Sequence, residues 1–258
     1  GDLYVGLPGS RAHGAAFAAD ARAAGALALL TDAAGAALAA GSGLPAAVVD
    51  DPRVAMAGVA ADVYGRPGDH LALFGVTGTN GKTSTVCLLE AALAGLGHRV
   101  GTIGTLGFRL DDAPLVSSRT TITTPESPDL QALLAVMRER GADAVAMEVS
   151  SHALALHRVD QLTFEASAFT MLGQDHLEFH HTLEEYFAAK ARLFLDGRTR
   201  AAVVNTADPW GRRLAGLVAD EGSAALTTVH AADADYRVLE SAPLPDGGWR
   251  VRLAHPAG

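Results

Sequence analysis

A glycine-rich stretch set between a strand and a helix constrains this chain more than any other feature. Phe74-Gly75-Val76-Thr77-Gly78-Thr79-Asn80-Gly81-Lys82-Thr83-Ser84 follows the apolar Leu71, Ala72 and Leu73. After it come Val86, Leu89, Leu93 and Leu96 at helical spacing. The order is strand, turn, helix. Such a turn leaves backbone N–H groups free at a helix N-terminus, where they bind phosphate. Lys82 then reaches the β- and γ-phosphates, and the Thr83 hydroxyl ligates magnesium. The usual pattern has glycine five residues before Gly81, where Val76 stands; Gly75 sits one place early and Gly78 falls inside the loop. A plain strand-to-helix turn also accommodates Asn-Gly-Lys. The context favours a nucleoside triphosphate.

The rest of the chain repeats that alternation. Residues 1–69 read as a small α/β unit: strands at Leu3–Val5, Ala26–Leu30 and Ala46–Val49, helices at Ala15–Ala24 and Pro52–Tyr64. Gly65-Arg66-Pro67-Gly68 is a linker by composition. From 70 onward the spacing predicts strands at 71–76, 99–103, 143–149, 166–170, 201–204 and 225–229, with a last one at Trp249–Leu253. Helices are predicted at 82–96, 128–140, 182–195 and 209–219. The fold class is therefore α/β, with a mostly parallel sheet covered on both faces. Ser127-Pro128-Asp129 reads as a helix cap and first turn, with Leu130, Leu133, Leu134 and Met137 on one apolar face. Thr182-Leu183-Glu184-Glu185 is a capping box.

Composition excludes several classes. Net charge is −9 without a basic cluster, which disfavours nucleic acid. The single cysteine, Cys87, permits no internal disulfide and is consistent with a reducing compartment. No run approaches a membrane-spanning length. Starting without methionine and ending in a strand, the chain reads as a piece of something longer.

Several polar residues stand where chemistry is expected. Lys190 lies on the apolar face of its helix, with Leu183, Tyr186, Phe187, Leu193 and Phe194. Its head either snorkels to the rim or points into a site. Burial there would lower its pKa, and a neutral amine can take up carbon dioxide as an anionic carbamate. Glu148 lies at the carboxyl end of the strand predicted at 143–149. That is where open α/β sheets bind ligands, and a carboxylate there is a natural magnesium ligand; a solvated strand-end glutamate is the alternative. Asp175-His176 follows the next strand in the same way. His180 and His181 read as exposed turn residues. The threonine-rich Arg119–Glu126 and the cation Arg158 suit anionic groups or a plain loop and surface. Asn205 and Asp208 suit a nucleoside or an Asx turn equally.

Taken together these segments resemble the ATP-dependent Mur ligases, and most closely those of MurE type. The matching stretches are GDLYVGLPG at 1–9, GVTGTNGKTST at 75–85, TTPESPDL at 123–130, AMEVSSHALALHRVD at 146–160, AFTMLGQDHLEFH at 168–180, EEYFAAKARLF at 184–194 and VVNTADPWG at 203–211. The resemblance implies residues 1–69 as a UDP-sugar-binding domain truncated at its start and 70–258 as the central ATP-binding domain, with a C-terminal ligase domain absent. It implies ATP and Mg2+ as cofactors. Gly78, Thr79, Asn80, Gly81, Lys82, Thr83 and Ser84 would cradle ATP, with Asn205 and Asp208 near adenine. Thr83 and Glu148 would hold one magnesium. His176 and carbamylated Lys190 would help hold a second, shared with Glu148. Lys82, Glu148, His176 and Lys190 would be the catalytic set. Thr123, Thr124, Ser150 and Arg158 would contact the muramoyl-peptide, with Ser10 and Arg11 at the uridine end.

The reaction so implied adds a diamino acid to UDP-N-acetylmuramoyl-L-alanyl-D-glutamate through an acyl phosphate. It serves peptidoglycan synthesis, and through it cell shape and division, in a cytoplasmic monomer with no nucleic-acid or membrane partner. Met171 departs from the family's common asparagine, and Leu156 stands where some members place glutamine. A folylpolyglutamate synthase-like ligase and a nucleotide-binding fragment without turnover are the competing readings.

Overall fold

The computed structural model describes residues 1–115, 123–221 and 224–256. The chain divides into two compact units, Gly1–Gly65 and Arg66–Gly258, parted within the Gly65–Gly68 stretch.

In the first unit, β1 (Asp2–Gly6), α1 (Ala18–Ala23), β2 (Ala26–Thr31), α2 (Ala33–Leu38), β3 (Ala46–Val48) and α3 (Pro52–Val63) alternate along the chain. The three strands pair in parallel in the order β1-β2-β3. The helix expected over Ala15–Ala24 begins as a 3₁₀ turn at Gly14–Phe17, where His13 accepts from the Ala15 N–H. Asp51 caps α3 by accepting from the Arg53 and Val54 N–H groups, and Pro52 fills the first helical position. Ser10 and Arg11 lie exposed in the segment after β1, at the carboxyl end of this small sheet.

The second unit begins with β4 (Ala72–Thr77), α4 (Lys82–Gly95), β5 (Val100–Gly104), β6 (Gly107–Leu110), β7 (Ala113–Pro114), α5 (Ser127–Glu139) and β8 (Ala144–Glu148). It continues with α6 (Ser151–Ala155), β9 (Phe164–Phe169), α7 (Leu177–His180), α8 (Leu183–Leu195), β10 (Thr199–Asn205), α9 (Pro209–Glu221) and β11 (Ala225–Val229). It ends with β12 (Arg237–Pro243) and β13 (Trp249–Ala254). Eight strands form one sheet in the order β11-β10-β9-β4-β8-β5-β6-β7. All pairings from β11 to β5 are parallel; β6 and β7 extend the edge as antiparallel strands. Among the described residues the final strand pairs with β12 alone, in an antiparallel hairpin outside that sheet.

Central strands are buried on both faces. Every residue of β5 and β8 is buried, as parallel strands covered by crossover helices require. The main core joins Leu130, Leu134 and Met137 of α5 to Val145 and Met147 of β8, and continues through Phe164, Phe169, Tyr186 and Phe194. Each such aliphatic or aromatic side chain contributes about 1.5–3 kcal/mol on burial.

Two local expectations are corrected. Ser127 is not the cap of α5: it is the first helical residue, Glu126 holds the cap position, and the Ser127 hydroxyl finds no partner among the described residues. His180 is not an exposed turn residue. It is 5% exposed at the end of α7, because α7 turns its imidazole onto α6 and α8 where the sequence shows only a short polar run. At α8 the Thr182 hydroxyl accepts from the Glu185 N–H, the bond that the capping box requires.

Candidate active site

Strands β4, β8 and β9 are neighbours, so their carboxyl ends open on one edge of the sheet. The loop Gly78–Gly81 leaves β4 there and enters α4 at Lys82. Gly78 has φ +147°, and a Cβ on it would stand 1.9 Å from Thr170 Oγ1. Only glycine fits so close to the segment after β9. That segment grips the loop from outside: the Thr79 N–H donates to the Met171 carbonyl at 2.8 Å, and the Thr170 hydroxyl to the Asn80 carbonyl at 2.6 Å. The Lys82 ammonium folds back onto the Gly78 and Thr79 carbonyls, 2.9 Å from each. Burial lowers its pKa, opposed by the charges of Glu148 and Asp175. Ser84 is exposed on the first turn of α4.

Glu148 meets this loop from β8. It is 1% exposed, and the Thr83 hydroxyl donates to its Oε1 at 2.9 Å. Among the described residues no three His, Cys, Asp or Glu side chains converge as a metal cage. The converging pair, one hydroxyl and one carboxylate, is a hard oxygen set. It fits magnesium, which keeps most of its waters and takes its remaining ligands from one or two carboxylates and substrate phosphates.

Lys190 is 1% exposed, and its Nζ donates to the Gly78 carbonyl at 3.0 Å. It does not snorkel. The ammonium lies 4.5 Å from the centre of the Tyr186 ring. Burial and the nearby charge of Lys82 hold its pKa down to about 7, with Asp175 opposing. Tyr186 was read from the sequence only as a core residue, yet its hydroxyl lies 3.2 Å from Thr79 Oγ1 on the glycine-rich loop.

His176 caps α7 in a left-handed conformation, φ 53°. Its ring stands 6.1 Å from that of Tyr186 and 4.8 Å, edge-on, from that of His152. Its nitrogens lie 3.5 Å from carboxylate oxygens of Asp175 and Glu178. Behind it His180 is hydrogen-bonded to Ser151 Oγ at 2.9 Å. Burial first, then the charges of His152 and Lys190, push the His180 pKa down to about 4. The folded state thus binds fewer protons than the unfolded one between pH 4 and 6.5. Stability from this group is complete above pH 6.5 and falls as pH drops towards 4, by at most about 1.4 kcal/mol per pH unit. His180→Gln keeps a side-chain amide for Ser151 and does not titrate. Urea denaturation at pH 7 and pH 5 should show a smaller loss of stability for this variant than for the wild type.

The remaining candidates form a second cluster beside Glu148. The Thr124 hydroxyl donates to the Glu148 carbonyl at 2.9 Å and accepts from the Ser150 N–H at 3.1 Å. Ser150 caps α6 by accepting from the Ala153 N–H. Arg158 donates to the Thr124 carbonyl at 3.0 Å and to Glu126 Oε1 at 2.7 Å. Thr123 lies 3.3 Å from Thr105, hydroxyl to hydroxyl. The Arg119–Ile122 part of the threonine-rich loop lies outside the described residues.

A cleft of about 480 Å³ opens on the other side of the loop, with Asn80, Gly81, Met171, Val203, Asn205 and Val229 in its walls. Asn205 donates to the Thr170 carbonyl at 2.8 Å. Asp208 is engaged at the start of α9, accepting from the Trp210 and Gly211 N–H groups. Thr105 and Gly104, which pack on Glu148, were not singled out in the sequence. Their contact spans 43 residues, and no local pattern marks it.

Residues 76–247 match the family model for the Mur ligase middle domain. The chain is similar to UDP-N-acetylmuramoyl-L-alanyl-D-glutamate–2,6-diaminopimelate ligase of Streptomyces coelicolor, at 52% identity over 93% of this chain and 46% of that protein. The Pseudomonas aeruginosa protein of the same name is 43% identical over 100% of this chain and 52% of its own length. A solved structure of a ligase so named superposes with TM-score 0.84 at 26% identity, over 100% of this chain and 52% of that one. A folylpolyglutamate synthase complex with AMPPCP superposes with TM-score 0.62 at 19% identity, over 80% of this chain and 56% of that one, and shares the fold alone. The chain spans about half the length of the curated relatives it matches.

Proposed function

We propose, from the premise that this chain belongs to the Mur ligase family, that it carries the nucleotide and acyl-donor sites of a MurE-type ligase. The reaction is ATP-dependent addition of a diamino acid to UDP-N-acetylmuramoyl-L-alanyl-D-glutamate, in a cytoplasmic, monomeric enzyme of peptidoglycan synthesis. The observation that carries the reading is Thr83 of the phosphate loop hydrogen-bonded to the buried Glu148, with Lys82 and Lys190 both on the Gly78 carbonyl.

In this reading a carboxylate oxygen of the substrate's glutamate attacks the γ-phosphorus of ATP. A C–O–P linkage forms, the β–γ P–O bond breaks and ADP leaves with the electron pair. The amine then adds to the acyl carbonyl, and the tetrahedral intermediate expels phosphate with loss of the amine proton. Loop N–H groups and Lys82 hold the phosphates. Lys82 would have to leave its two carbonyl partners to do so. Positioning and charge neutralisation supply most of the catalysis in phosphoryl transfer. Arg158, Thr124 and Ser150 hold the acyl substrate beside Glu148. Asn205 lines the nucleoside cleft. Magnesium, held by Thr83 and Glu148, would neutralise charge on the phosphate oxygens. His176 and a carbamate on Lys190 are the candidates for a second cation.

Titration calorimetry with UDP-N-acetylmuramoyl-L-alanyl-D-glutamate in the presence of Mg–ADP tests the reading. Saturable binding is expected, weakened by roughly tenfold or more in Arg158→Ala, since a charge-assisted bond is lost. Binding of a reduced folate in its place would move the assignment to the folylpolyglutamate class.

A further inference from the structure

The turn between β5 and β6 lies against Glu148. A Cβ on Gly104 would stand 2.4 Å from Glu148 Oε1, so only a glycine leaves room for the carboxylate. The next residue, Thr105, holds both of its oxygens. The Thr105 N–H donates to Oε1 at 2.8 Å and the Thr105 hydroxyl donates to Oε2 at 3.2 Å. That hydroxyl also lies 3.3 Å from Thr123 Oγ1. A hydroxyl has one proton to donate, and a carboxylate oxygen accepts. With the Thr105 proton directed to Glu148, Thr123 is the donor in the second bond. The row therefore runs from Thr123 through Thr105 to Glu148, whose Oε1 also accepts from Thr83.

We propose that Thr105 is a positioning residue, fixing the rotation of the Glu148 carboxylate so that it meets a divalent cation at the phosphate loop. The proposal rests on the reading of Thr83 and Glu148 as cation ligands. Two contacts on opposite oxygens lock a carboxylate plane, whereas the Thr83 bond alone leaves it free to turn. Thr105 itself is exposed, so shortening or replacing its side chain opens no core cavity. Partners that orient a metal ligand are typically worth about 10–100-fold in metal affinity. The Thr105 N–H survives side-chain substitution, so the lower end of that range applies.

The test measures ADP binding to this chain by calorimetry, with magnesium and with EDTA, for the wild type, Thr105→Val and Thr105→Ser. The expected result is about a tenfold loss of Mg2+ affinity in the ADP complex of Thr105→Val. Metal-free ADP affinity should be unchanged, and Thr105→Ser should restore the wild-type value. Three other outcomes overturn the proposal. If the wild type gains no ADP affinity from magnesium, the reading of Thr83 and Glu148 falls and the proposal with it. If the wild type gains affinity and Thr105→Val matches it, that reading stands and the role of Thr105 fails. If both variants lose affinity with and without metal, the turn is merely structural.

Discussion

Replacing Lys190 by methionine should abolish a carbamate signal and flatten the alkaline stability profile of this chain. The Nζ is fully buried against the Gly78 carbonyl and the Tyr186 ring, with its pKa held near 7 by burial. A sizeable fraction is therefore neutral near pH 7.5, and the neutral amine attacks the carbon of CO2. An N–C bond forms, one C=O π pair moves to oxygen, and the amine proton passes to solvent. In 13C-bicarbonate the wild type should show a carbamate resonance that Lys190→Met lacks.

The stability sign follows from linkage. An unfolded lysine titrates near 10.4, so between pH 7 and that value the unfolded state binds more protons and stability rises with pH. The slope is at most about 1.4 kcal/mol per unit. In carbon-dioxide-free buffer, denaturation at pH 7 and 9.5 should show wild-type stability gaining on Lys190→Met. In a ligation assay, Lys190→Ala should cost on the order of 10²–10³-fold, the scale of losing one preorganised electrostatic contact to the transition state, with partial recovery in acetate. A full-rate Lys190→Ala enzyme would rule out a role in turnover.

The second large effect is expected at the phosphate loop. Lys82→Ala should weaken Mg–ATP binding by about 1.5–3 kcal/mol, the usual value of a hydrogen bond to a charged group. The fold should persist, because Lys82 is only partly buried at the loop surface and its two present acceptors are loop carbonyls. Thr83→Ala should show its loss chiefly in the magnesium dependence. Wild-type affinity for Mg–ATP in Lys82→Ala would overturn the loop assignment.

Strand–loop–helix order at Phe74–Ser84, the alternation behind a parallel sheet and the burial of Leu130, Leu134 and Met137 were all legible in the sequence. Each depends on spacing along a few turns of chain, where periodicity reports which face is covered. The placement of Lys190 on an apolar face was legible for the same reason. What its head does was not, because the Gly78 carbonyl that receives it lies 112 residues away.

The failures are of the same kind. Ser127 carries the residue type of a cap but enters the helix, because the chain arriving from Thr124 and Glu126 is fixed by Arg158. His180 looks like a turn residue until α6 and α8 close over it. Gly104 and Thr105 carry no signal until β5 is laid beside β8. The amino-acid sequence by itself determined the elements, their amphipathic faces and the glycine-rich turn between β4 and α4, since those follow from local sterics and 2.0- or 3.6-residue periodicity. The order β9-β4-β8-β5 was decided only in the tertiary structure, where non-local pairings are chosen by how whole faces pack. That order brings Thr83, Thr105, Thr123 and Glu148 to one point.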